Sequence, residues 1–584
     1  MEFAALVETF DAFDATDSTL DKTALLAEGF AESEPGTLED LVLVVQGQVF
    51  PSWDPADLGV SSRSARAAVA KATGVDEREI ERRWGETGDL GDAAAWAVDR
   101  RTQQTLFTEP LTLDRVLSTL RAFPDFEGAG SQTRRIDELA GLVSDADPAE
   151  ARYIVRLAVG HLRLGIGDGL VRDAIAAAFL AEEPRLWDRP PEDRTEPPAD
   201  LTRAVERAFQ VTNDYPLVAR TAREEGLAGL ADRTIEVGRP VQSMKAEKAE
   251  STSEAIESLS PADGPSELLV ETKLDGMRMQ VHVAGDDVTL YTRRLEDVTA
   301  QFPEVAAAVG EAVTAEVAVL DGEAVGYDGE TGELVPFQDF SRRIKREYEV
   351  ERLAEEIPAT LYLFDALRVD DDSLLDAPLR ERIARLESSF EPIESRVERV
   401  RNEWLDGLDG DGPLERTESF YDEVLAAGHE GVMLKNGRAP YQPGVRVGQM
   451  MKLKPVMEPL DLVVTRAERS EGRRAEQLGR LFLACYDPDT DEYREVGRLS
   501  TGYTDEELAA LTERLETHAT REEGRQVDLA PEVVLEVEYE ELQRSTEYGS
   551  GYALRFPRFL RVRDDLAPTE ADTIDRVASL YDEQ

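Results

Sequence analysis

The sequence predicts a multidomain protein with an all-α first part, an α+β middle part and a small β-barrel at the end. Three observations predict it. Residues 1 to about 235 carry helical periodicity broken by Pro and Gly, with no convincing strand alternation. Past "IEVGRPVQSM" the pattern changes to short alternating strands mixed with helices. After "MKLKPVMEP" five or so short strands and one helix follow in quick succession. The expected domains are residues 1–236, 237–456 and 457–584, a division in keeping with a chain of 584 residues.

In the first part, "SRSARAAVAKATG", "LTLDRVLSTLRAF" and "VRDAIAAAFLAEE" read as amphipathic helices. "WDRPPEDRTEPPADLTRAVERAF" reads as an extended loop within that part, because helical patterning resumes at Leu201. In the middle part, "ELLVETKLDG", "RMQVHVAG", "VTLYTRR", "AVLDGEAVGYD" and "ATLYLFDALRV" read as strands, and "PLRERIARLESSF" as a helix. Within "ETKLDGMRMQVHV", Thr272, Asp275 and Arg278 interrupt the apolar run, while Met277, Met279, Val281 and Val283 restore alternation. Lys273 is therefore expected near a strand end, beside a turn. The last part offers "LDLVVTRAERS", "GRLFLACYD", "YREVGRLS", a helix at "TDEELAALTERLETHA", then "EVVLEVEYEEL" and "FLRVRDD", which together suggest a barrel of the OB type.

Composition narrows the setting. No run of 18 or more apolar residues occurs, and "MEFAALVETF" carries acids instead of a basic leader, so a cytoplasmic chain without a membrane span is expected. The only cysteine, Cys485, lies in "LFLACY" and suits a core thiol; one cysteine excludes an internal disulfide and a cysteine-based zinc cluster. The net charge of -55 is spread along the whole chain, so the surface is acidic throughout. Such self-repulsion is tolerable in concentrated salt, where the Debye length falls to about 3 Å at 1 M, and a salt-rich cytoplasm is inferred. Only nine of the 66 basic residues are lysine, which makes those that remain better candidates for chemical roles, and four of the nine fall in three short segments taken up below.

Seven segments, "KLDGMR", "TRRLEDVT", "LDGEAV", "LYLFDALRV", "EGVMLK", "MKLKP" and "RFPRFLRVRDD", occur in the order of the nucleotidyltransferase motifs of ATP-dependent DNA ligases, and the chain resembles that family over more than half its length. Upstream, "GSQTRRIDELAGLVSDADPAEARYIVR" and "LRLGIGDGLVRDAIAAAF" resemble the helical DNA-binding domain of the archaeal and eukaryotic replicative ligases. The resemblance implies an all-α DNA-binding domain, an adenylation domain and an OB-fold domain. It also implies ATP and Mg²⁺ or Mn²⁺ as cofactors, nicked duplex DNA as the partner, and a monomer; a sliding clamp is a further partner it allows.

The chemistry fits the residues. A lysine at a strand end with cationic neighbours can expose a neutral amine that attacks phosphorus and forms a covalent intermediate, and Lys273 is that candidate. Lys452 and Lys454 share one face of a strand by their spacing and suit the α-phosphate. Lys435 is either a member of this cationic set or a strand-end lysine facing water. By resemblance, Arg446 reaches the nucleotide, Glu271 reads adenine, Phe364 stacks on it, and Arg278 contacts the ribose. Arg293, with Arg294 as the alternative, receives the 5′-phosphate of the nick. A divalent cation is expected on Glu430; by resemblance, Glu323 contacts the ribose and supports metal binding, and Asp275, also counted with the metal site, is needed when the nick is closed. Gly165, Gly167 and Gly169 precede a helix whose N-terminus, with Arg163, suits a DNA phosphate. Two positions depart from the family: Met450 stands where tryptophan is usual, and the last motif ends in Asp565-Leu566 where Asp-Lys is usual. The duty of that lysine would then fall on Arg555, Arg558, Arg561 or Arg563. The rival readings are an RNA ligase, a GTP-using capping enzyme, or an inactive DNA-binding scaffold.

Overall fold

The computed structural model describes residues 1–583 apart from 55, 102–109, 129, 183, 261–266, 345, 347, 407–411, 447, 456 and 471–476. The chain falls into two compact units, Met1–Leu453 and Lys454–Gln584.

The first unit begins with thirteen α-helices among the described residues, from Phe3–Asp14 to Gly226–Ala231. Local chemistry marks their starts: Ser61 and Asp76 accept from the backbone N–H of Ser64 and Arg78, and Asp147 and Glu150 cap each other's backbone ahead of Pro148. The three predicted helices form as Ser62–Thr73, Leu113–Arg121 and Asp168–Phe179. The proline-rich stretch holds two short 3-10 turns and gives way to the helix Ala199–Thr212. The apolar stripes meet in one core, where Phe3, Phe10, Phe13, Phe30, Phe123 and Tyr153 are buried. Each ring so buried contributes about 1.5–3 kcal/mol.

Among the described residues eleven strands follow: β1 (Glu247–Lys248), β2 (Leu268–Lys273), β3 (Met277–Ala284), β4 (Asp287–Thr292), β5 (Val317–Gly326), β6 (Ala359–Val369), β7 (Asp372–Ser373), β8 (Val397–Arg399), β9 (Asn402–Trp404), β10 (Gly431–Asn436) and β11 (Met450–Leu453). One sheet has the order β1-β11-β10-β2-β9; the other runs β4-β3-β5-β6-β7, with β8 alongside β6. The chain crosses from the first sheet to the second in the three residues between β2 and β3. A Cβ on Gly276 would lie 2.4 Å from the Ala324 carbonyl oxygen on β5, so only glycine allows this approach.

The segment joining helices to sheets is fastened by polar side chains of β3. Gln280 accepts from Val241 N at 2.6 Å and donates to Val241 O at 3.2 Å. His282 Nδ1 accepts from Gly238 N at 3.0 Å, and its other ring nitrogen lies 3.0 Å from Gln280 Oε1. Burial holds the His282 pKa at about 3, so the ring stays neutral and suits both contacts.

In the second unit, β12 (Leu460–Arg469), β13 (Leu478–Asp487), β14 (Glu492–Leu499), β15 (Ala519–Glu523), β16 (Gln526–Leu529), β17 (Val534–Glu538) and β20 (Arg558–Val562) form one sheet, and β18 (Glu541–Arg544) pairs with β19 (Tyr552–Arg555). One edge of β12 pairs with β13, while the other pairs first with β17 and then with β16. Leu462, Leu483, Cys485, Val496 and Leu535 are fully buried beneath the helices Asp505–Glu516 and Ile574–Glu583. Burial pushes the Cys485 thiol up to about 12, which makes it an inert core group as expected. The expectation of five or so strands and one helix is corrected here: nine strands and two α-helices are present among the described residues. Among the described residues no helix is long and apolar enough to cross a membrane.

Candidate active site

Lys273 is the last residue of β2, as its sequence context predicts. Its Nζ donates a hydrogen bond to Glu430 Oε2, and Glu430 N donates to Lys273 O at 3.1 Å. Glu430 immediately precedes β10, whose register sets Gly431 opposite Lys273 and Met433 opposite Glu271. Two strands of one sheet thus hold the amine and its carboxylate together.

Glu323 reaches the same place from β5 of the second sheet, directly across from Arg278 on β3. Its carboxyl is pushed up to about 7, chiefly by burial; Glu430 and Asp275 add repulsion, which Lys273 and Arg278 oppose. The folded-state pKa is above the unfolded value near 4.5, so the cost of this charge is absent at low pH and grows as pH rises through 7. Glu323→Gln is expected to stabilise the nucleotide-free protein at pH 8 by no more than about 3 kcal/mol and to change little at pH 5. Melting temperatures at the two pH values and constant salt check this; equal shifts at both would mean packing, not charge.

Asp275 accepts from Phe337 N at 3.2 Å. Among the described residues, no three His, Cys, Asp or Glu side chains converge as a metal cage. Glu430 and Asp275 lie near enough to Glu323 to repel its carboxylate, and hard oxygen donors of this kind are what a divalent cation takes one or two of.

A second cluster adjoins the first. Glu271, 2% exposed, receives Lys435 Nζ on Oε2 at 2.5 Å, and Lys435 is itself 6% exposed. The reading of Lys435 as a strand-end lysine facing water is corrected: β10 carries it inward, and its ammonium stands 4.6 Å from the centre of the Phe364 ring. Phe364 is half-buried on β6, with Arg278 also over its ring at 5.3 Å. Phe364, Arg278, Lys435, Met244, Tyr441 and Met450 are among the residues lining a narrow cleft; Lys273, Glu323 and Glu430 lie outside its lining. The cleft therefore adjoins the reactive cluster without containing it.

Arg278 is less available than its sequence suggests. It donates to Asp321 Oδ2 at 2.7 Å, to Tyr441 OH at 3.2 Å and to Met244 O at 3.2 Å; Tyr441 OH donates to Asp321 at 2.7 Å. Asp321 is fully buried and its carboxyl is held below the usual range, because Arg278, Tyr441 and Gln280 outweigh the effect of burial. Sequence reasoning missed Asp321, Tyr441 and the buried bidentate pair of Arg382 with Asp365, at 2.8 and 3.0 Å. The signal was a polar residue inside an apolar strand, as Asp321 is in "AVLDGEAV" and Asp365 in "LYLFDAL".

Lys452 lies on β11, which ends at Leu453; Lys454 follows at once and pairs with Glu540 at 3.7 Å. Arg293 and Arg294 are exposed in the turn after β4, closed by Leu295 N donating to Thr292 O at 2.8 Å, and Arg446 is exposed ahead of β11. Gly167 caps the helix Asp168–Phe179, Gly165 has φ +65, and an added Cβ at either would meet open space. Gly169 falls inside the first turn of that helix. The half-exposed Arg163 lies 3.7 Å from Asp89.

The four arginines of the last motif all meet acids: Arg555 with Glu541 at 3.0 Å, Arg558 with Glu538 at 3.5 Å, Arg561 with Glu536, and Arg563 with Asp461 at 2.6 Å and Asp565 at 2.8 Å. Arg558 and Arg561 remain well exposed, while Arg563 is largely enclosed. Leu566 packs against Val463, Val534 and Ala571.

A family model described as "ATP dependent DNA ligase domain" matches residues 243–454, one described as "DNA ligase N terminus" matches residues 2–176, and one described as "ATP dependent DNA ligase C terminal region" matches residues 474–566. A DNA ligase of Thermococcus onnurineus is 40% identical, the match covering all of this chain and 98% of that protein. A DNA ligase of Halobacterium salinarum is 42% identical, with all of both chains covered. A solved structure named "Pmar-Lig_Pre." shares the fold with a TM-score of 0.56 at 14% identity, over 96% of this chain and 99% of that one.

Proposed function

This chain belongs to the ATP-dependent DNA ligase family and seals nicks in duplex DNA using ATP, and we propose that Lys273 is the nucleophile that carries AMP. The observation that carries the proposal is the Lys273 amine at the joint between two sheets, bonded to Glu430 and faced by Glu323. In the first step Nζ attacks the α-phosphorus, the N–P bond forms as the bond to the β-phosphate oxygen breaks, and pyrophosphate leaves. The hydrogen bond to Glu430 offers the amine's proton an acceptor. AMP then passes to the 5′-phosphate at the nick, and the adjacent 3′-hydroxyl displaces it.

Glu271 and Phe364 form the base subsite in this reading, and Arg278 serves the ribose through its Nε, a buried donor with no acceptor among the described residues. Lys452, Lys454 and Arg446 neutralise the phosphates, while Arg293 or Arg294 receives the 5′-phosphate of the nick. Glu323 and Glu430, supported by Asp275, would hold Mg²⁺ or Mn²⁺, which supplies charge neutralisation at the phosphate oxygens when bound. Among the last-motif arginines, exposure favours Arg558 and Arg561 for the leaving pyrophosphate. We read residues 1–236, 237–456 and 457–584 as DNA-binding, adenylation and OB-fold domains, with the N-terminus of the helix at Gly165, Gly167 and Arg163 meeting a DNA phosphate. We read the protein as a cytoplasmic monomer, with a sliding clamp as a further partner.

Incubation with α-³²P-ATP and Mg²⁺, followed by denaturing electrophoresis, tests the nucleophile: label stable to denaturation and chased onto a nicked duplex is expected. Label that washes off on denaturation would overturn it.

The charge of -55 makes a separate expectation. DNA binding ordinarily weakens with salt through counterion release, but here salt first screens the repulsion between an acidic surface and a polyanion. Folding and sealing are both expected to need high monovalent salt, with activity rising toward ~1 M. Circular dichroism and nicked-DNA affinity across one KCl series check this; best sealing in dilute buffer would remove the halophilic reading and leave the enzyme class intact.

A further inference from the structure

Lys435 has no task in the reaction as described, yet it pairs with Glu271 and sits against Phe364 at the base subsite. Both side chains are buried, 2.5 Å apart. Glu271 Oε1 has no hydrogen-bond donor among the described residues, so a buried acceptor is left open beside the ring. Buried acceptors are seldom left open without a ligand to fill them.

A carboxylate only accepts hydrogen bonds, whereas a carboxylic acid also donates. The ammonium of Lys435 favours the carboxylate. The 6-amino group of adenine is a donor and matches an acceptor; the 6-oxo group of hypoxanthine is an acceptor and does not. We propose that Lys435 is a positioning residue for base specificity, holding Glu271 as an acceptor-only carboxylate against Phe364 so that a 6-amino purine is taken and a 6-oxo purine refused. This rests on the assignment of Glu271 and Phe364 to the base.

The surroundings leave this task to Lys435. Burial holds the Glu271 carboxyl above its usual range, and Lys435 is the largest influence pulling it back. The other charged groups facing Glu271 are Asp365 on β6, which pushes it further up, and Arg399 on β8, which pulls weakly. Without Lys435 the rise is larger still, which favours the protonated carboxyl, whose hydroxyl can donate to a 6-oxo group.

The test is labelling of Lys273 with α-³²P-ATP and, in parallel, with inosine triphosphate labelled at the same phosphorus, from pH 6 to pH 9 at fixed KCl. In the unaltered enzyme the preference for ATP is expected to be high and flat with pH. Lys435→Met is expected to lower it by roughly tenfold or more near pH 7 and to regain it as pH rises, while Lys435→Arg keeps it. Glu271→Gln, whose amide both donates and accepts, loses preference at every pH, and adding Lys435→Met to it changes little further. The inference is overturned if Lys435→Met keeps the flat, high preference while Glu271→Gln loses it; the base subsite then stands without Lys435. If Glu271→Gln and Phe364→Ala both leave the preference intact, the base assignment itself falls, and the inference with it. Should Lys435→Met not fold, Lys435→Gln, which is uncharged and can still hydrogen-bond Glu271, decides: a preference that stays high and flat with pH overturns the inference.

Discussion

Lys273→Ala takes up no label from α-³²P-ATP and seals no fresh nick, a loss of at least about 10⁴-fold, yet it joins a nick whose 5′ end already carries AMP. The asymmetry follows from where the side chain acts. Its Nζ is consumed only in the first step, and its one described partner, Glu430, keeps its place at the start of β10 when the amine is gone. Lys273→Arg also fails to label, because a guanidinium stays protonated and cannot present a lone pair. Circular dichroism separates a folded, inactive variant from a collapsed one. A variant that seals fresh and pre-adenylated nicks at equal rates would overturn the covalent role.

Asp321→Ala lowers the stability of the first unit by about 3 kcal/mol, because it leaves the largely enclosed Arg278 guanidinium without its fully buried carboxylate. The damage reaches beyond one ion pair. Tyr441 and Gln280 also converge on Asp321, and Gln280 fastens the segment at Val241, so the joint between helices and sheets loosens with it. The midpoint of denaturant unfolding is the measurement. Arg278→Met combined with Asp321→Leu removes both charges and is expected to cost far less than either change alone. Equal costs for the double and single changes would show that shape, not charge pairing, sets the stability.

Much of the centre is legible in the sequence for one reason: charged residues inside strands are costly, so "KLDGMR" and "LDGEAV" stand out against apolar neighbours. What periodicity does not disclose is the partner. Arg278 reads as a free cation until β5 brings Asp321 to it, and Lys435 reads as a strand end facing water until β10 lies beside Glu271 on β2. The second unit fails differently. "ATREE" forms β15 with every side chain exposed, so it has no alternation to detect, and its hairpin with β16 is invisible to a search for apolar faces. Leu566 reads as a defect where lysine is usual, and only packing against Val463 and Val534 gives it a purpose.

The clearance at Gly276 sets a tolerance for the whole centre. The reactive amine belongs to one sheet and Glu323 to the other, and the three-residue joint between them passes β5 at the point where a hydrogen stands in place of a methyl group. A methyl there would meet both the Ala324 carbonyl oxygen, at 2.4 Å, and Glu323 Cγ, at 2.9 Å. Gly276→Ala would therefore push the joint off β5 by something on the order of an ångström and misalign amine and carboxylate without altering either, a displacement large enough to cost about 10²-fold in rate. The smallest side chain in this neighbourhood is the spacer against which the others are gauged.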